Sequence, residues 1–141
     1  MPKVWTFTLA AAGFMAVTAG AAYADPCNAP LPTRAGAEFG GVVRYVGDGD
    51  SLCVGPANGD GSTWIEVRLM DFNAPEMREG APARAAKAAL ERVAFGQEAR
   101  CVVTRGESGT RSWDRTHAIC TINGRRIGDL MREAGAPEGG N

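Results

Sequence analysis

Three short stretches of the chain carry residue types that could act together on a phosphodiester. Val67 to Glu76 (VRLMDFNAPE) places an arginine, an amide and a carboxylate, Arg68, Asn73 and Glu76, within ten residues. Val46 to Leu52 (VGDGDSL) sets Asp48 and Asp50 around a glycine, and Trp113-Asp114-Arg115 adds a second arginine. Oxygen ligands of this kind hold a hard cation, and guanidinium forks hold phosphate oxygens. Together they are the groups that metal-assisted attack on phosphorus requires.

Singly, each group has a plainer meaning. Asp48-Gly49-Asp50 is a turn signal, with a glycine that permits positive φ. Arg68 and Arg115 could each be a strand-end arginine in a surface ion pair, and Glu76 a solvated loop carboxylate. Asp71 lies two residues before Asn73 and reads as solvated, and His117, the single histidine, reads as structural.

These residues must be positioned by strands. Gly40 to Val46 and Ser51 to Val54 read as strands around the Asp48–Asp50 turn. Thr63 to Met70 alternates, with Ile65, Val67 and Leu69 toward a core and Trp64, Glu66, Arg68 and Met70 away from it. Ala81 to Phe95 reads as a helix with Pro82 in its first turn, Gly96 at its stop and an apolar stripe of Ala86, Ala89, Leu90 and Val93. Two strands follow, Ala99 to Thr104 and Thr116 to Ile122; Asn123-Gly124 is a tight-turn signal. Ile127 to Ala134 reads as a short helix. The pattern alone gives an α+β chain with an antiparallel sheet.

The 141 residues suggest one domain preceded by a processing signal. Lys3, an apolar run from Val4 to Ala22, and the small-x-small pattern Ala22-Tyr23-Ala24 read as a signal peptide over residues 1–24. Export to the periplasm or medium follows, with no stable membrane association after cleavage; the other reading of the run, almost long enough to span a bilayer, is a retained N-terminal anchor. Residues 25–39, rich in proline, read as an irregular arm, 40–135 as the folded domain and 136–141 as a loose tail. Cys27, Cys53, Cys101 and Cys120 suggest two disulfides in an exported domain. Cys101 and Cys120 lie in neighbouring strand-like runs, which favours Cys101–Cys120 and leaves Cys27–Cys53. Without Lys3 the chain carries 14 basic and 16 acidic residues. That balance argues against a strong non-specific nucleic-acid binder, so any attraction to nucleic acid must be local.

The blocks GDGDSL, RLMDFNAPE and WDRTHAIC, in that order and spacing, resemble the thermonuclease (staphylococcal nuclease) family over roughly Gly40 to Gly135. The resemblance implies a small five-stranded antiparallel OB-type barrel, mainly β with two or three helices, and calcium-dependent cleavage of DNA and RNA. By position it implies Asp50 as a metal ligand, Arg68 and Arg115 as phosphate arginines, and Glu76 as the catalytic carboxylate that orients water. Asn73 stands where the family has a second metal-binding aspartate, and Ala74 where a backbone carbonyl often completes the set. An amide brings no charge, so a weakened calcium site is expected. Asp48 would support Asp50. Trp113, where the family often has tyrosine, would stack on a base or sugar or simply pack. The family's aromatic residues beyond the last helix have no counterpart in Gly135 to Asn141. Two functions follow as expectations. One is a monomeric nuclease acting on single-stranded or flexible DNA or RNA. The other is a catalytically weakened barrel module that binds nucleic acid, an anion or an exported protein.

Overall fold

The structure is a computed structural model that describes residues 2–3 and 25–139. The processing signal expected over residues 1–24 therefore lies, apart from Pro2 and Lys3, outside the described residues. Among the described residues no helix is long and apolar enough to cross a membrane.

Five strands make a closed barrel: β1 (Glu38–Asp48), β2 (Ser51–Gly55), β3 (Ile65–Leu69), β4 (Glu98–Val103) and, after a two-residue strand β5 (Arg111–Ser112), β6 (Arg115–Ile122). A further short strand, β7 (Arg125–Arg126), pairs with β6. Helix α1 (Ala81–Ala94) connects β3 to β4, and α2 (Ile127–Glu133) follows β7. The sheet runs β3-β2-β1-β4-β6 and closes where β6 pairs with β3. That closing pair is parallel, with Val67 opposite Thr116 and Leu69 opposite Ala118, whereas the other four barrel pairs are antiparallel. The barrel is thus mixed and not wholly antiparallel as expected. A ring of five strands cannot alternate direction at every seam, so one parallel pair is unavoidable.

The alternation read from the sequence decides what fills the barrel. Val43, Val46, Leu52, Val54, Val67 and Leu69 point inward and are buried. β4 shows a strict alternation in which Ala99, Cys101 and Val103 are buried. α1 starts at Ala81 as expected and stops at Ala94, one residue earlier than read, leaving Phe95 exposed and Gly96 at φ 76° to turn the chain. Its buried face is Ala83, Ala86, Ala89, Leu90 and Ala94, closing the barrel mouth with Ile127 and Met131 of α2. Burying a side chain the size of Leu90 contributes roughly 1.5–3 kcal/mol.

The four cysteines pair as Cys27–Cys53 and Cys101–Cys120. Cys101 and Cys120 face each other across β4 and β6, with Cα atoms 4.1 Å apart inside the core. The N-terminal arm has no strand before Glu38 but is well fastened. Besides its disulfide, Asn28 N–H donates to the Gly61 carbonyl at 2.8 Å and Ala29 N–H to that of Trp64 at 3.0 Å. Thr116 Oγ1 donates to the Pro32 carbonyl at 2.6 Å. Glu66 faces away from the core, as the alternation predicts, yet is buried. The register puts it beside Cys53, to which the arm is stapled, so the arm covers it.

The segment read as a loose tail is also tied down as far as Gly139. Gly139 N–H donates to the Asn73 carbonyl at 2.8 Å, and Glu138 forms an ion pair with Arg132 at 2.9 Å.

Candidate functional site

The site begins at the turn between β1 and β2. Gly49 does not take a positive φ. What it supplies is room: a Cβ there would meet the Cβ atoms of Ala74 and Ala86 at 2.6 Å each. The turn is wedged between α1 and the loop after β3, and this fixes Asp48 and Asp50 against that loop. Asp50 N–H donates to Asp48 Oδ1 at 3.0 Å, which fastens the turn, and the two carboxyls are close enough for each to act on the other's charge.

β2 and β3 then bring the first arginine to the second aspartate. Their register pairs Ser51 with Arg68. Asp50 Oδ2 accepts from Arg68 Nη1 at 2.8 Å and from the Ala74 N–H at 2.7 Å. Arg68 Nη1 also donates to the carbonyls of Leu69 (2.8 Å) and Phe72 (3.1 Å), and Nη2 to Asn73 Oδ1 (2.8 Å). A guanidinium has five N–H donors. Nη1 is fully used and one hydrogen of Nη2 is used, so the Nε hydrogen and the other Nη2 hydrogen have no partner among the described residues.

Asn73 also donates through Nδ2 to the Gly139 carbonyl at 3.1 Å, which completes a two-bond pairing between Asn73 and Gly139. Ala74 turns its N–H, not its carbonyl, toward Asp50, and the carbonyl lies against Gly139. Beside this arrangement is a cleft of about 250 Å³ lined by Arg68, Asn73, Asp71, Arg132 and Glu138.

Burial and the neighbouring charge of Asp48 push the Asp50 carboxyl up to about 7, against the pull of Arg68 and the Ala74 amide. Asp48 moves the other way. Burial would raise it, but hydrogen bonds from Asp50 and Ser51 and the charge of Arg115 hold it below the ordinary carboxylate value. The two acids act as a pair with unequal hold on one proton.

The remaining expected residues are placed less tightly. Arg115 opens β6, half-buried, and its charge reaches both Asp48 and Glu66. Glu76 is exposed at the start of a short 3₁₀ turn, Met77–Glu79, where the Glu79 carboxylate accepts its N–H. No hydrogen bond or ion pair joins Glu76 to Asp50 or Arg68 among the described residues. Trp113 is 86% exposed, with φ 53°, which favours a stacking surface over packing. His117 is buried, with Nδ1 against the Gly109 carbonyl and Nε2 against Ser112 Oγ, both at 2.9 Å, a structural role as expected.

Asp71 is not the solvated carboxylate that the sequence suggested. Its Oδ2 accepts the Gly128 N–H at 3.1 Å at the start of α2, its Oδ1 is buried, and its backbone carbonyl accepts from Arg132. Arg132 itself was missed. It lies over the Phe72 ring, 5.7 Å from the centroid, and brings a second guanidinium to the cleft. The one sequence signal was its place in the last turn of a short helix, where a basic residue usually means only a helix-end contact.

Neither a protein-family model nor a curated protein matches the chain.

Proposed function

We propose that this protein is an exported phosphodiesterase that cleaves single-stranded or flexible DNA or RNA. The observation that carries the reading is Arg68. Its guanidinium is anchored on one side by Asp50, Asn73 and two carbonyls, and has two N–H donors with no partner among the described residues beside an open cleft. An arginine held in this way meets a phosphate with little loss of side-chain freedom.

The resemblance implies calcium. The donor set suits a hard cation at the paired carboxylates of Asp48 and Asp50, which would hold it. Asn73 Oδ1 and the Ala74 carbonyl are turned elsewhere, toward Arg68 and the tail. When bound, such an ion supplies positive charge against the phosphate oxygens. The protein's own groups then have distinct tasks. Arg68 and Arg115 hold the phosphate and stabilise the charge that builds on its oxygens in the transition state. Glu76, exposed and joined to neither Asp50 nor Arg68, orients a water for in-line attack on phosphorus. Trp113 offers its exposed ring to a base.

The second reading is a non-catalytic barrel that binds nucleic acid, an anion or an exported protein. The pairing of Gly139 with Asn73 favours it, because it occupies the side chain that would otherwise face a cation.

The disulfide-intact protein, assayed on single-stranded DNA with calcium, with chelator and beside Glu76→Ser, decides between the two. The nuclease reading expects calcium-dependent cleavage that falls at least a hundredfold in the variant. A folded protein that cleaves nothing over a wide calcium range leaves the binding module as the function.

A further inference from the structure

A second group of acids lies on the outer face of the barrel. One oxygen from each of Asp25, Glu66 and Asp114 falls within 4.8 Å of the other two. The fold forces them together from three directions. Asp25 is at the start of the arm, beside Cys27, which is bonded to Cys53, and the β2–β3 register sets Cys53 next to Glu66. The parallel seam sets Thr116 beside Val67, which carries the turn residue Asp114 toward Glu66.

Acids gathered at a surface are ordinarily solvated and need no ion. Glu66 is different. It is 7% exposed, and among the described residues its Oε2 is buried with no hydrogen-bond donor; the near group is the Asp25 carboxyl, which offers no donor when both acids are ionised. A buried carboxylate oxygen that nothing satisfies is costly, more so beside two other carboxylates with Arg115 as the neighbouring cation. A hard cation held by carboxylate oxygens would satisfy it. Calcium–oxygen bonds of about 2.3–2.6 Å let ligands stand up to roughly 4.6–5.2 Å apart across the ion, in a flexible geometry that three carboxylates from separate segments can meet.

We propose that Asp25, Glu66 and Asp114 form a calcium site, separate from Asp48 and Asp50, that clasps the N-terminal arm to β3 and to the turn leading into β6. The exposed side of Asp114 leaves room for water to complete the coordination.

The test is a calcium titration of the disulfide-intact protein by calorimetry. It is paired with terbium luminescence, which Trp113, next in sequence to Asp114, is placed to sensitise. Three proteins are compared: the native chain, Asp50→Asn, which removes the other cation position, and Asp50→Asn carrying Glu66→Gln and Asp114→Asn as well. Asp50→Asn alone should keep the site, and the combined variant should lose at least tenfold in calcium affinity and most of the terbium signal. The added substitutions preserve shape. Should the combined variant fail to fold, Asp50→Asn with Asp25→Asn on the arm reads the same site. Calcium and terbium binding that survives in the combined variant, or in the one that stands in for it, overturns the proposal. So does binding that vanishes in Asp50→Asn alone. Processing before Asp25 would place an α-ammonium at the same spot. A native protein in which that charge fills the role would bind no calcium there, and this outcome also overturns the proposal.

Discussion

Arg68 and Asn73 illustrate how one hydrogen-bond set can hold a site in readiness and restrain it too. Asn73 uses its oxygen on Arg68 and its amide hydrogens on Gly139, so its chemistry is spent on positioning. In Asn73→Asp the donor toward the Gly139 carbonyl is replaced by a repelling oxygen, while the hold on Arg68 becomes an ion pair. The tail should release and a carboxylate should become available beside Asp50. Under the proposed nuclease function the expected result is a calcium requirement for cleavage lowered several-fold, with a higher rate at limiting calcium, measured as cleavage against free calcium. Unchanged calcium dependence would mean that residue 73 has no part in the cation site. At this scale the sequence was legible where residues are joined through regular strands, as with Asp50 and Arg68. It was not legible where loops and tails decide. Asn73 as a ligand, Ala74 by its carbonyl and Asp71 as solvated all depended on how a loop is turned, and no periodicity governs a loop.

Among the elements, the strand and helix spans came close to their sequence-read limits because alternation and glycine and proline punctuation are strong local signals. β1 starts two residues earlier and runs two residues longer than Gly40 to Val46, since its ends are extended by pairing with β4 and β2, which no local signal reveals. The Gly49 turn was identified for the wrong physical reason: close packing by α1, not backbone conformation, demands a glycine. The Cys101–Cys120 bridge followed from reading two adjacent strands. It closes a loop with a sequence separation of 19 and ties β4 to β6 within the core. Replacing both cysteines with alanine should destabilise the protein by about 3 kcal/mol and lower the melting temperature by on the order of 10 °C. Thermal unfolding followed by circular dichroism checks this, and a shift of only a degree or two would show that core packing, not the crosslink, holds that seam.

The whole molecule concentrates acids where they are half-hidden, and its stability should register that. Asp50 rises from the ordinary 3.8 to about 7 and Glu66 from 4.5 to about 8. Both hold a proton more tightly in the folded state than in the unfolded chain. Each therefore favours folding fully at low pH and loses that contribution as pH rises through its interval; Asp48, held low, works oppositely over a lower range. In chelator the melting temperature should fall by several degrees between about pH 5 and pH 8, and a rise over that span would contradict the assignment. The parallel seam between β3 and β6 bears on how the molecule comes into being. It joins residues near 67 to residues near 116, as the β1–β4 seam joins residues near 42 to residues near 98, so both cost the closure of a long loop. Arg68 lies on one side of that seam and Arg115 begins the other. A chain whose β3–β6 seam is open keeps its two arginines apart, so under the proposed function the grip on a phosphate would arrive only with that seam, whatever else of the sheet has formed.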